Sequence, residues 1–134
     1  MSGQRLANGH QFTCPNLEGK TIECFKAYVD IEKKEHIIMV FLKLKGEKLW
    51  HRFFLDAGLG FWEEWDETSA FEGVENDSLI DLAEKYNVRR KIVSSITCRG
   101  SYHELSSMEF LLDDMILTYR YSYPGDSESP TIFE

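Results

Sequence analysis

A chain of 134 residues with 43% hydrophobic and 13% aromatic side chains has enough apolar surface to offset the entropy of ordering, which excludes a disordered polymer and predicts one domain with a real core. The formal net charge of −8 is concentrated: residues 53–84 hold ten Asp/Glu and no Lys or Arg, a surface that repels nucleic acid and anionic membrane alike. The longest apolar run, Ile37 to Leu42, falls far short of the roughly 20 residues that span a bilayer.

MSGQRLANGHQ at the N-terminus has no apolar stretch of a secretory signal, and Cys14, Cys24 and Cys98 form no C-x-x-C pair. The simplest reading is a cytoplasmic protein with reduced thiols, Cys14 before Pro15 being the one expected at the surface. Residues 1–19 are polar and small, punctuated by Gly9 and Pro15-Asn16, with a short edge strand over His10 to Cys14. From Thr21 to Glu32, apolar Phe25, Ala27, Val29 and Ile31 alternate with charged Lys26 and Asp30, the period of a half-buried strand. Lys33-Lys34-Glu35 is then a connection to an antiparallel neighbour.

Ile37–Lys45 and Leu49–Asp56 are rich in β-branched and aromatic residues, and Gly46-Glu47 between them suits a two-residue hairpin turn. That turn sets Leu44 opposite Leu49, Leu42 opposite His51, Val40 opposite Phe53 and Ile38 opposite Leu55. The other face pairs Lys43 with Trp50, Phe41 with Arg52 and Met39 with Phe54, placing two cations beside rings. Both faces are apolar enough that something must shield the second. His51, the titratable group on the first face, reads as a hydrogen-bonded core histidine.

Ala57 to Gly60 break the strand as a sharp or mobile turn, and their G-x-G lacks the remainder of a phosphate loop. Phe61, Trp62, Trp65 and Phe71 then stand among Glu63, Glu64, Asp66, Glu67, Glu72 and Glu75. Asn76 to Asn87 is the main predicted helix (77–86): Ser78 and Asp81 suit a capping box, Leu79, Leu82, Ala83 and Tyr86 form one stripe, and Asn87 closes it in the left-handed conformation. Arg89-Arg90-Lys91 is the basic cluster, followed by a strand over Ile92 to Cys98 that Gly100 ends. Ser106 to Asp114 reads as a helical turn capped by Ser106, with a strand as the alternative. Met115 to Tyr123 alternates as a strand, and Pro124-Gly125 stops it.

The expected fold is therefore α+β: a curved antiparallel sheet of about five strands packed on one main helix (77–86), with loose termini (about 1–10 and 125–134). No H-E-x-x-H, C-x-x-C or EF-hand spacing is present, Cys98 and His103 alone make no site, and no metal or cofactor is expected. No G-x-S-x-G elbow marks a nucleophile. The carboxylate pairs Asp113-Asp114 and Glu63/Asp66 read as solvated acids, so no catalytic residue is assigned.

The remaining signal is the acidic, Trp-containing segment 61–77. It reads as the surface of a non-enzymatic interaction protein, with Trp62, Glu63, Glu64, Trp65, Asp66 and Glu67 meeting a basic protein partner: carboxylates steer, and an indole anchors. Small acidic proteins that inhibit or give immunity to basic toxins and nucleases are similar in size and charge, a likeness of composition that carries no residues over. The alternative is a small-molecule-binding or enzymatic domain whose pocket on the concave sheet face uses Tyr28, His51, Tyr119 and Tyr121. A homodimer burying an open sheet face is the third reading.

Overall fold

The computed structural model describes residues 3–9, 11–29, 37–56, 59–100 and 105–122. The expected 33–35 connection, His103 and the C-terminal tail lie outside them. Strands dominate, and the expectation of one sheet on one main helix is overturned: among the described residues there are two antiparallel sheets, and the two α-helices have four residues each. The strands are β1 (Gly3–Gly9), β2 (Gln11–Thr13), β3 (Ile22–Val29), β4 (Ile37–Leu44), β5 (Trp50–Asp56), β6 (Leu59–Trp65), β7 (Leu79–Asp81), β8 (Val93–Gly100), β9 (Leu105–Leu112) and β10 (Met115–Ser122). Helix α1 is Glu67–Ala70 and α2 is Leu82–Lys85. The larger sheet runs β1-β6-β5-β4-β3-β7 and the smaller β10-β9-β8-β2.

Two residues account for the loss of the long helix. Asp81 is an N-cap rather than an interior residue, its Oδ1 accepting from the Glu84 N–H at 3.1 Å, so α2 begins only at Leu82. Asn87, at φ 55°, stops it within about a turn, as its left-handed preference predicts. Upstream, Leu79–Asp81 pairs instead with Tyr28–Lys26 of β3, covering an edge that would otherwise stand open. Ser106 to Asp114 is likewise strand. Ser106, Met108, Phe110 and Leu112 point inward while Ser107, Glu109 and Leu111 face out, and Asp113-Asp114 turn the chain into β10 with Leu112 opposite Met115.

The register expected for the β4–β5 hairpin is the one observed from Val40↔Phe53 to Lys43↔Trp50. Its turn differs. The Glu47 N–H donates to the Leu44 carbonyl at 3.1 Å, so Lys45 and Gly46 are the central residues, with Gly46 at φ 83° in the second position. Ile38 also departs from its expected buried place, being 40% exposed. The β3–β4 register shifts between Tyr28↔Met39 and Val29↔Ile37, and this irregularity turns Ile37 into the core in its stead.

The core fills the space between the sheets. Phe110 of the smaller sheet lies 5.3 Å from the Phe25 ring and 5.5 Å, edge on, from Phe53 of the larger. Cys14, expected at the surface, is 0% exposed, its N–H donating to the Ile96 carbonyl where the chain leaves β2. Gly60 belongs to β6 rather than to a mobile turn. The second face of the larger sheet carries Phe41 and Trp50, and its shield is the acidic segment itself: Ala70, Phe71 and Val74 pack there, beside Leu79 of β7. Among the described residues no helix is long and apolar enough to cross a membrane.

Candidate functional site

Alternation along β6 decides what the six acidic-segment residues do, because neighbours on a strand face opposite sides. Trp62 points into the core, 6% exposed and stacked with Phe53. Glu63 faces the other way and is 3% exposed; its Oε1 accepts from Arg52 Nη2 at 2.6 Å, Arg52 Nε at 3.1 Å and Trp65 Nε1 at 3.0 Å. The Arg52 guanidinium lies 5.1 Å from the centre of the half-buried Trp65 ring. Glu64 is half-buried on the inner side, opposite His51. Asp66 caps α1, accepting from the Ser69 N–H at 2.7 Å. Glu67 is exposed, yet its Oε1 accepts from Trp50 Nε1 at 3.2 Å. The structure thus divides these six between the core, the outer sheet face and a helix start.

The acids left facing solvent follow α1. Glu72, Glu75 and Asp77 are exposed, and among the described residues no cation stands within ion-pair distance of them. Two members of the basic cluster are occupied elsewhere, Arg89 with Asp81 at 3.3 Å and Lys91 with Asp114 at 3.8 Å.

Of the four residues of the concave-face alternative, Tyr28, His51 and Tyr119 stand in three different surroundings. Tyr28 packs in the outer cluster under α1. Tyr119 is buried between the sheets, where its hydroxyl donates to the Ile38 carbonyl at 3.3 Å and burial pushes its pKa up. The Tyr121 backbone pairs with Ser106 in the β9–β10 ladder. Of the three whose side chains are described, His51 lines a cavity of about 380 Å³ between the inner face of β5 and β6, the β4–β5 loop and the 3-10 turn after β2.

His51 is 2% exposed there. Trp62 Nε1 donates to its Nδ1 at 3.1 Å, and an indole N–H is a donor only, so the neutral imidazole carries its proton on Nε2. That nitrogen faces Glu47 Oε1 at 3.5 Å, while Glu47 Oε2 pairs with Lys20 Nζ. Burial holds the His51 pKa below its usual value, against the opposing pull of Glu47 and Glu64. For Glu47 burial acts upward, but the hydrogen bond from Lys20 and the longer contact with His51 together outweigh it and hold its carboxyl below the usual range. With Nδ1 engaged by a donor and Nε2 protonated, the imidazole is arranged to donate a hydrogen bond rather than to abstract a proton. Among the described residues no group of three His, Cys, Asp or Glu is placed to hold a metal ion.

Sequence reasoning missed Lys20 and Glu47. Glu47 stands four residues before His51, just after the turn, but the strand start between them hides that proximity. Lys20 comes from a separate loop with no local signal. No protein-family model, no curated protein and no solved structure matches this chain.

Proposed function

We propose that the chain is a non-enzymatic interaction protein that binds a basic protein through the acidic segment folded over the larger sheet, in the manner of an inhibitor or immunity-type protein acting in the cytoplasm. One observation carries this reading: Glu72, Glu75 and Asp77 are exposed on a packed segment and have no intramolecular cation among the described residues. Like charges held together without a counter-charge cost stability, and a basic surface would relieve that cost. With Trp62 in the core, the contact surface in this reading centres on Glu67, Glu72, Glu75 and Asp77, with half-buried Trp65 at its margin. The test is affinity capture from the native cytoplasm with the wild type and with Glu72→Lys/Glu75→Lys, at low and raised salt. A basic protein retained by the wild type, and released by salt and by the reversal, supports the reading. Identical capture by both proteins overturns it.

A further inference from the structure

The cavity beside His51 holds a feature that core packing does not explain. Trp62 fixes the imidazole tautomer, so His51 holds a buried N–H at Nε2, on the side of Glu47, which lines the cavity with it. Its partner among the described residues is Glu47 Oε1 at 3.5 Å, beyond the roughly 2.7–3.2 Å of ordinary N–H···O bonds. Glu47 is drawn the other way by Lys20. A buried donor so poorly satisfied costs free energy, which an acceptor arriving in the cavity would recover.

The lining restricts what that acceptor belongs to. Lys20 and Glu47 neutralise each other, and among the described lining residues the other charges, Lys48 and Glu64, are one of each sign. A charged ligand therefore meets no net counter-charge and would lose hydration without return. Leu6, Leu17, Leu49 and Trp62 supply apolar wall, and Leu6 is among the few large apolar side chains left exposed. An opening of about 380 Å³ suits a molecule of one or two rings. We infer that this cavity is a binding site for a small uncharged molecule with an apolar body and a carbonyl-type acceptor, which takes the Nε2–H hydrogen bond of His51. The inference is independent of the exposed acids Glu72, Glu75 and Asp77, which belong to the part of the chain covering the other face of the sheet.

The probe for the test is 6-propionyl-2-(dimethylamino)naphthalene, an uncharged two-ring ketone whose emission moves to the blue in apolar, water-poor surroundings. The wild type is expected to bind it saturably at one site, with a blue shift and energy transfer from tryptophan. His51→Phe keeps a ring but removes the donor, and should weaken binding about tenfold, the worth of one hydrogen bond of about 1.4 kcal/mol. Because His51→Phe disturbs a buried position, Leu6→Arg at the exposed rim is the second variant, and it too should weaken binding at least tenfold without loss of fold. Nitrogen-15 NMR of histidine-labelled protein should show the Nε2–H tautomer and a probe-dependent shift at Nε2 greater than at Nδ1. Absence of saturable binding, wild-type affinity in both variants, or tighter binding of an anionic naphthalene sulfonate would overturn the proposal.

Discussion

Arg52 and Glu63 face each other across β5 and β6, joined by contacts of 2.6 and 3.1 Å from the guanidinium to one carboxylate oxygen. Both side chains are mostly withdrawn from water, so each is tolerable largely because of the other. Removing one partner of such a pair costs about 3 kcal/mol, whereas replacing both by apolar groups is close to neutral. Glu63→Ala should therefore lower the urea midpoint strongly, and Arg52→Met/Glu63→Met should recover most of it. A double variant as unstable as the single one would show that the Trp65 N–H, which also donates to Glu63, matters more than the charge.

Gly60 of the larger sheet makes room for Cys98 of the smaller. A Cβ on Gly60 would lie 2.1 Å from the Cys98 sulfur and 3.4 Å from its Cβ, and Cys98 is itself buried. Gly60→Ala should cost about 1–3 kcal/mol through overpacking. Adding Cys98→Ala removes the sulfur and leaves ordinary contact, so the double variant should be more stable than the sum of the two losses. Additive losses in denaturation curves would mean that the sheets shift instead.

His51 gives the fold an acid-sensitive point. Burial lowers its pKa from the ordinary 6.5, so the unfolded chain takes up a proton before the folded one does. Its contribution is complete above about pH 6.5 and falls as pH drops from there through the lower folded value. Glu47, also lowered, from 4.5, loses its contribution only in a more acidic window. Wild type should thus lose stability between pH 7 and pH 5 relative to His51→Gln, read from urea midpoints. A wild type that gains over this range would show that Glu47 and Glu64 outweigh burial.

How much of this was legible depended on whether a signal was local. The β4–β5 register followed from alternation alone, since every pair from Val40↔Phe53 to Lys43↔Trp50 shares one residue sum. The helix over 77–86 failed because a 3.6-residue stripe through Leu79, Leu82, Ala83 and Tyr86 says nothing about an open β3 edge nearby. In the acidic segment the charge run is local and legible, but the facing of its side chains is not: β6 sends Trp62 and Trp65 to opposite faces. The His51 cavity needs Lys20, Glu47 and Trp62 from three elements, and only folding brings these together.

Ser106 was misread as a helix cap because serine is a polar signal, yet it sits inward on β9. Its Oγ is buried without a hydrogen-bond partner among the described residues. Such a group costs about 1–3 kcal/mol of desolvation, so Ser106→Ala should raise stability by about 1 kcal/mol, measured in urea. A loss would reveal a partner that the hydroxyl needs.

Phe71 decides whether the acidic segment is a separable cover or part of the core. Helix α1 has only four residues, too few to persist alone, and its Asp66 cap contributes about 1 kcal/mol at most in such a setting. What holds the segment down is Phe71, stacked on Phe41 at 4.4 Å and edge-on to Trp50 at 4.8 Å. Because Phe71 is half-buried, Phe71→Ala should cost about 1–2 kcal/mol globally, well below the 3–5 kcal/mol or so expected for Phe53→Ala in the core between the sheets. Hydrogen exchange should show the loss locally: the amides of Ala70 and Val74, now bonded within the segment, should exchange faster while those of β4 and β5 keep their protection. If the segment presents its carboxylates to a partner, Phe71→Ala should also weaken binding by loosening their arrangement, whereas Glu72→Lys/Glu75→Lys should mainly slow association. Equal losses for Phe71→Ala and Phe53→Ala, or unchanged exchange at Ala70 and Val74, would show that the outer cluster is one cooperative unit with the core and that the cover does not open alone.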